Sequence, residues 1–168
     1  MPTKEVIYTQ DFQVLSIDLT LGVSKDGLVF LAPSDQLTKE TQKYNWQNNP
    51  KLTTPYVKAV SQFISREKTT FDYPLDLRGT PFQQQVWQIL QKIPFGQTCS
   101  YSHIAEKLGK PTAYRAVANA IGKNPIFFII PCHRVIGKNG QLTGFGWGLP
   151  LKAKLLQYEQ MKLGHAAN

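Results

Sequence analysis

The sequence predicts an α+β protein in two parts, a small N-terminal α/β unit with an antiparallel sheet and a mostly helical C-terminal unit containing a helix-turn-helix. Three observations carry this. Residues 13–32, QVLSIDLTLGVSKDGLVFLA, alternate apolar and polar side chains about Ser24-Lys25-Asp26-Gly27, as a hairpin closed by an Asp-Gly turn does. Helix-start signals of the form Thr-Pro stand at Thr54-Pro55 and Thr80-Pro81. Two short helical patterns, SHIAEKLG and TAYRAVANAIG, flank Lys110-Pro111 and each closes on a glycine.

Taken in order, the hairpin opens a short sheet. The stretch TPYVKAVSQFISREK then puts Tyr56, Val57, Val60, Phe63 and Ile64 on one helical face, with Thr54 as cap and Pro55 at the first position. FDYPLDL reads as a strand or extended linker, and the domain boundary falls after Leu77, giving domains 1–77 and 78–168. Beyond it, Thr80 caps a helix whose Phe82, Val86, Ile89, Leu90 and Ile93 share a face and which ends before Pro94. In the second helix of the helix-turn-helix, Ala113, Ala116, Ala118 and Ala120 make a shallow surface from which Arg115 alone projects as a long cation. Alanine also favours helix and close helix packing, so the shallow surface has a purely structural explanation as well. Residues 124–137, NPIFFIIPCHRVIG, read as a buried strand over Ile126–Ile130 that runs into Pro131, Cys132, His133 and Arg134.

Composition narrows the function. A 42% hydrophobic share over 168 residues is ample for a core. No run of eighteen apolar residues occurs, and the N-terminus lacks a signal-like apolar stretch, so the expected location is the cytoplasm, or the nucleus in a eukaryote, with no membrane partner. In such a compartment Cys99 and Cys132 are free thiols, and neither CxxC nor HxxxH spacing is present, so no metal and no cofactor are expected. Charge is lopsided. Residues 1–77 carry 8 basic and 9 acidic side chains, whereas residues 78–168 carry 11 basic and 2 acidic, Glu106 and Glu159. A shallow helix in a strongly positive half points to a nucleic-acid backbone.

Cys132 and His133 supply a thiol and a base that titrates near neutral pH. A free thiol, with a pKa of roughly 8.5, is only slightly ionised there, so a base matters. Neighbours on an extended segment point to opposite sides, which makes a bridging water the simpler geometry. A buried cysteine beside a hydrogen-bonded histidine is the structural alternative, and Glu159, read on KAKLLQYEQ alone, belongs on the surface. Glu106, beside Lys107, and His103 and His165 read as solvated.

From Gly79 to Glu159 the segments GTPFQQQVW, IPFGQTCSYSHIA, RAVANAIGKNP, IPCHRVIG and LKAKLLQYE resemble the alkylguanine-DNA alkyltransferases, the methylated-DNA-protein-cysteine methyltransferases. The resemblance implies a ribonuclease H-like N-terminal domain and a winged-helix-like C-terminal one. It further implies a monomeric suicide enzyme that binds double-stranded DNA carrying alkylated guanine, flips the nucleotide and takes the alkyl group from the 6-oxygen onto its own cysteine. The 4-oxygen of thymine is a further possible site of attack. Cys132 then matches the acceptor, His133 the water-mediated base and Glu159 the carboxylate that orients it. Asn124 matches the asparagine tying the helix-turn-helix to the active-site segment, and Tyr101 the phenol that gives the leaving guanine a proton. Arg115 matches the arginine that enters the base stack, joined on the DNA-binding surface by Ser102, Ala116, Ala118 and Lys138. Pro131, Val135, Phe145, Gly146 and Trp147 fall in the substrate pocket, where Phe145 replaces a frequent tyrosine and Trp147 a glycine, a narrowing of the site unless Trp147 packs outward as core. Two other classes compete. A lesion-binding helix-turn-helix protein without transfer activity has no use for Cys132, and a cysteine hydrolase has none for Arg115 on an alanine-rich helix.

Overall fold

The computed structural model describes residues 3–138, 140 and 145–164. Two compact units make it up, Met1–Arg78 with Pro125–Phe127, and Gly79–Asn124 with Phe128–Asn168. The class is α+β, as the sequence predicts.

In the first unit β1 (Val6–Val14), β2 (Ile17–Ser24) and β3 (Gly27–Pro33) form an antiparallel meander. Leu15 and Ser16, both at positive φ, make the two-residue turn between the first two strands, and the Asp-Gly hairpin joins the next pair. After a short helix α1 (Lys39–Gln42), β4 (Asn45–Gln47) adds in parallel to the outer side of β1, so the order is β3-β2-β1-β4. Gly27 has φ +149, and a Cβ there would lie 2.5 Å from the Pro74 carbonyl oxygen. That closeness lets residues 74–76 lie along β3. Leu28 N–H donates to Pro74 O at 2.9 Å and Asp76 N–H to Leu28 O at 2.8 Å, so FDYPLDL is an extended segment with one bridge.

Helix α2 spans Pro50–Ile64 and packs on β1 and β2. It therefore starts at Pro50 behind Asn49, not at Thr54, and Pro55 lies inside it. A proline at Pro55 forfeits one backbone bond, but Thr53, Tyr56, Val60 and Ile64 bury a continuous stripe that carries the helix through it. Val57 and Phe63 flank the stripe, half-buried.

The second unit opens with α3 (Pro81–Gln91), whose capping box is complete. Thr80 Oγ1 accepts from Gln83 N–H at 3.1 Å while Gln83 Oε1 accepts from Thr80 N–H at 3.0 Å. Next come β5 (Cys99–Ser100), α4 (Tyr101–Lys107), α5 (Tyr114–Gly122), β6 (Val135–Ile136), parallel to β5, and α6 (Leu149–Lys162). Ser100 caps α4 by accepting from His103 N–H, and Gly109, at φ +72, turns the chain towards α5. Trp87, fully buried, donates from Nε1 to the Ala120 carbonyl at 2.9 Å and so ties α3 to α5.

The apolar run Ile126–Ile130 is not a strand. Ile126 makes one bridge, to Leu31 in the first unit, and Phe127–Ile129 form a turn with Phe128 at φ +67. A continuous apolar run marks burial without specifying backbone shape. Here side chains take over from a ladder, since Asn124 Nδ2 donates to Ile130 O at 2.7 Å.

Trp87→Ala is expected to lower stability by about 3–5 kcal/mol, because it empties the α3–α5 contact as well as removing the hydrogen bond. Urea unfolding followed by circular dichroism reads this as a lower midpoint at unchanged slope.

Candidate active site

Cys132, His133 and Arg134 lie on a single 3-10 turn entered from Pro131, all of them buried. The turn, not an extended strand, sets the directions of the Cys132 and His133 side chains. Each is then fixed by a different partner. Asn124, at the end of the α5 segment, donates from Nδ2 to both Ile130 O and Cys132 Sγ, the latter at 3.2 Å, so one amide holds the backbone before the turn and the sulfur on it. The His133 Nε2 is bonded to Glu159 Oε2, and its ring stacks on Phe128 with centroids 5.1 Å apart. The positive φ of Phe128, costly for a bulky residue, is what brings its ring over the imidazole.

Glu159 lies on the inner face of α6 with no exposure. Its carboxylate accepts from Arg134 Nε at 2.9 Å, from Arg134 Nη2 at 3.0 Å and from the Gly96 N–H at 2.9 Å, in addition to His133. Arg134 Nη1 continues to the Ile93 carbonyl at 2.7 Å. Burial alone would push the Glu159 carboxyl up, but the bonds and charges of His133 and Arg134 outweigh it and hold the group at about 2. Burial pushes the His133 imidazole down, against the pull of Glu159. His133 is therefore neutral, with its proton on Nε2 facing the carboxylate. Its Nδ1 is left as an acceptor, buried and without a hydrogen-bond partner among the described residues.

Burial also pushes the Cys132 thiol up, to about 12, opposed by the Asn124 hydrogen bond and by the positive charge of Lys152. Lys152 is a residue the sequence reading passes over. It is completely buried on the same face of α6 as Leu155 and Glu159, and its Nζ lies 5.9 Å from the ring centres of both Tyr101 and Phe145. Burial pulls its ammonium down, and Cys132, when ionised, draws it back up. The only available signal was the i, i+3, i+7 spacing of Lys152, Leu155 and Glu159, which reads as a helix face only once two of its three members are allowed to be charged.

The remaining predicted residues divide by place. Tyr101, half-buried, opens α4, with Ser102 half-buried after it. Arg115, Ala116 and Ala118 are exposed on α5, and Lys138 is exposed beyond β6. Pro131 and Val135 are buried, and Val135 is paired through its backbone with Cys99. Phe145 and Trp147 meet edge to face, 5.4 Å between centres, with Trp147 buried and Gly146 exposed. Residues 141–144 and His165 lie outside the described residues, whereas His103 and Glu106 are exposed. Among the described residues no cluster of three or more His, Cys, Asp or Glu side chains could hold a metal, and no helix is long and apolar enough to cross a membrane.

A proton acceptor held by a buried carboxylate, next in sequence to an amide-anchored thiol, is an arrangement able to do chemistry at sulfur. Comparison with known proteins gives the family. Residues 81–161 match the family described as 6-O-methylguanine DNA methyltransferase, DNA binding domain. The chain is 46% identical over 142 residues to the methylated-DNA–protein-cysteine methyltransferase of Mycolicibacterium paratuberculosis, covering 84% of this chain and 86% of that one. It is 41% identical over 145 residues to the inducible methylated-DNA–protein-cysteine methyltransferase of Bacillus subtilis, covering 80% and 79%. The crystal structure of Mycobacterium tuberculosis OGT in complex with DNA superposes with a TM-score of 0.79 at 41% identity, over 94% of each chain. The chain belongs to the methylated-DNA–protein-cysteine methyltransferase family.

The charge set on Glu159 has a pH signature. A carboxyl whose pKa falls from 4.5 to about 2 on folding contributes stability that is complete above about 4.5 and is lost as pH falls towards 2. Glu159→Gln should abolish that acid-dependent slope and, by leaving the Arg134 guanidinium buried without its counter-charge, lower stability at neutral pH by about 3–5 kcal/mol. Thermal melts of both proteins between pH 2 and 7 measure it.

Proposed function

We propose that Cys132 is the acceptor in a DNA-repair reaction in which this protein takes an alkyl group from methylated DNA onto its own cysteine, and that the group comes from the 6-oxygen of guanine. The observation that carries the assignment is the Cys132–His133–Glu159 arrangement, a sulfur anchored by Asn124 next to an imidazole whose Nε2 is committed to a carboxylate and whose Nδ1 is open.

The thiol, resting near 12, is almost wholly protonated at neutral pH. His133 Nδ1 takes its proton, through one bridging water, and the imidazolium so formed is stabilised by Glu159. The thiolate, held by the Asn124 amide and the Lys152 ammonium, attacks the alkyl carbon. A carbon–sulfur bond forms as the carbon–oxygen bond breaks, and the electron pair leaves with guanine. Tyr101, whose ring centre lies 5.9 Å from Lys152 Nζ, supplies a proton to the departing base. The product is a thioether, which offers no carbonyl for water to attack, so each molecule acts once.

The partner is DNA, here double-stranded and carrying an alkylated guanine that must be turned out of the stack to reach a buried thiol. Arg115, exposed on α5, fills the vacated space, and Ser102, Ala116, Ala118 and Lys138 lie against the backbone and groove. Phe145, Gly146 and Trp147 bound the pocket beside Pro131 and Val135. The protein acts as a monomer, one molecule per lesion, where DNA is held, in the cytoplasm or a nucleus. In this reading residues 78–168 are the DNA-binding and alkyl-transfer domain and residues 1–77 the N-terminal α/β domain.

Mixing the protein with duplex containing O6-methylguanine should add one methyl group to the peptide carrying Cys132, with repair stopping at one equivalent. A methyl group found on Cys99 instead, or repair continuing in Cys132→Ser, would refute the assignment. Lys152→Met should slow transfer at least tenfold and move the pH–rate profile to higher pH, because loss of the cation raises the thiol further and one pKa unit is worth a factor of ten. Single-turnover rates between pH 6 and 9 test this, with a melt to verify folding.

A further inference from the structure

Helix α5 buries Val117, Ala120 and Ile121, which leaves Tyr114, Arg115, Ala116, Ala118 and Asn119 on its open side. On that side every residue except Arg115 is small or a short amide, apart from Tyr114. It occupies the first helical position, is 49% exposed, and among the described residues makes no hydrogen bond, ion pair or ring contact. The fold has no use for this ring. It spends apolar surface on water immediately beside the arginine assigned to the base stack, and one turn before Ala118, on a helix otherwise shallow enough to sit deep in a groove.

A helix seated that deeply cannot keep a phenol at its leading end in solvent. The ring must enter the groove with Arg115. Flipping a nucleotide leaves the base opposite it without a partner, and such a base presents a π-face that any aromatic ring can cover irrespective of sequence. We infer that Tyr114 is a second DNA-inserting residue, stacking on the base left unpaired opposite the flipped nucleotide while Arg115 fills the vacated place. The inference rests on α5 being the helix that meets DNA. It assigns to this chain a two-residue wedge, apolar and cationic, and makes stabilisation of the flipped state a property of Tyr114 as well as Arg115. Proteins that insert apolar side chains into the minor groove trade unstacking for such contacts.

The test measures single-turnover methyl transfer to the full chain from duplex containing O6-methylguanine, at protein concentrations below saturation, and from the free base O6-methylguanine. Tyr114→Ala should slow the duplex reaction about tenfold and leave the free-base reaction within twofold of wild type. Tyr114→Phe, which keeps the ring, should restore the duplex rate. With 2-aminopurine opposite the lesion, fluorescence on binding should be quenched by the wild type and bright with Tyr114→Ala. Exposure of Tyr114 makes the substitution tolerable to the fold, and equal melting temperatures verify that. The inference is overturned if Tyr114→Ala repairs duplex as fast as wild type or faster, if it slows both substrates alike, or if Tyr114→Phe is as slow as Tyr114→Ala. Arg115→Ala separates the two levels of the argument. Slow duplex repair in Arg115→Ala with normal repair in Tyr114→Ala refutes the Tyr114 role alone, whereas normal duplex repair in both refutes the reading of α5.

Discussion

The second unit is organised by one buried carboxylate. Glu159 enters the interior on α6 and there receives hydrogen bonds from the imidazole and guanidinium of the 132–134 turn and from the backbone of the loop after α3. Burying a carboxylate costs several kcal/mol unless its lone pairs are taken up and its charge is balanced. Both conditions are met here, and by residues that are neighbours in sequence. His133 and Arg134 project from one tight turn to the same carboxylate, so the turn that presents Cys132 is fixed from two directions. Gln160, the next residue on α6, donates from its amide to Gly96 O at 2.7 Å, which closes the loop on the helix. The position of the sulfur thus follows from the position of a charge.

This arrangement keeps the Cys132 thiol protonated at rest. Cys132 is only 4% exposed, and burial disfavours its anion more than Asn124 and Lys152 favour it. A thiol kept protonated is a poor target for adventitious oxidants and electrophiles, since the thiolate is the reactive species. In the proposed reaction the base is already placed and already neutral. Proton transfer then converts a buried thiol and a neutral imidazole into a thiolate beside an ammonium and an imidazolium beside a carboxylate. A protein that reacts once has particular need of such protection, because every molecule lost to a side reaction is a lesion left in place.

What could be read from the sequence follows from how local each cause is. The Asp-Gly hairpin, the Thr80 cap with Pro81 and Gln83, and the glycine-closed helices around Lys110-Pro111 depend on a few adjacent residues, and all are present where the sequence puts them. The start of α2 is ambiguous in the sequence because Thr54-Pro55 carries a helix-start signal that Asn49-Pro50, five residues earlier, repeats without a strong cap. The run Ile126–Ile130 resembles a strand in the sequence because apolar continuity reports burial alone. Its real shape depends on Phe128 at positive φ and on the Asn124 amide, neither visible in periodicity. The local sequence around Glu159 and Lys152 points to the surface for both, although both are buried. Both are charges buried on one face of α6, and their burial is dictated by partners 25 residues or more away in sequence, in Arg134, His133 and Tyr101.

Lys152 and Arg134 illustrate two ways in which a buried cation is tolerated. Arg134 is neutralised, its guanidinium divided between Glu159 and the Ile93 carbonyl in a geometry that planar donors satisfy well. Lys152 instead lies near the rings of Tyr101 and Phe145 and close enough to Cys132 for its charge to favour a thiolate there. Burial makes its ammonium less stable than in water, and a thiolate at Cys132 acts in the opposite direction. In the proposed reaction its charge therefore favours the thiolate over the thiol, which is the condition for a fixed charge to lower a barrier and not merely to bind.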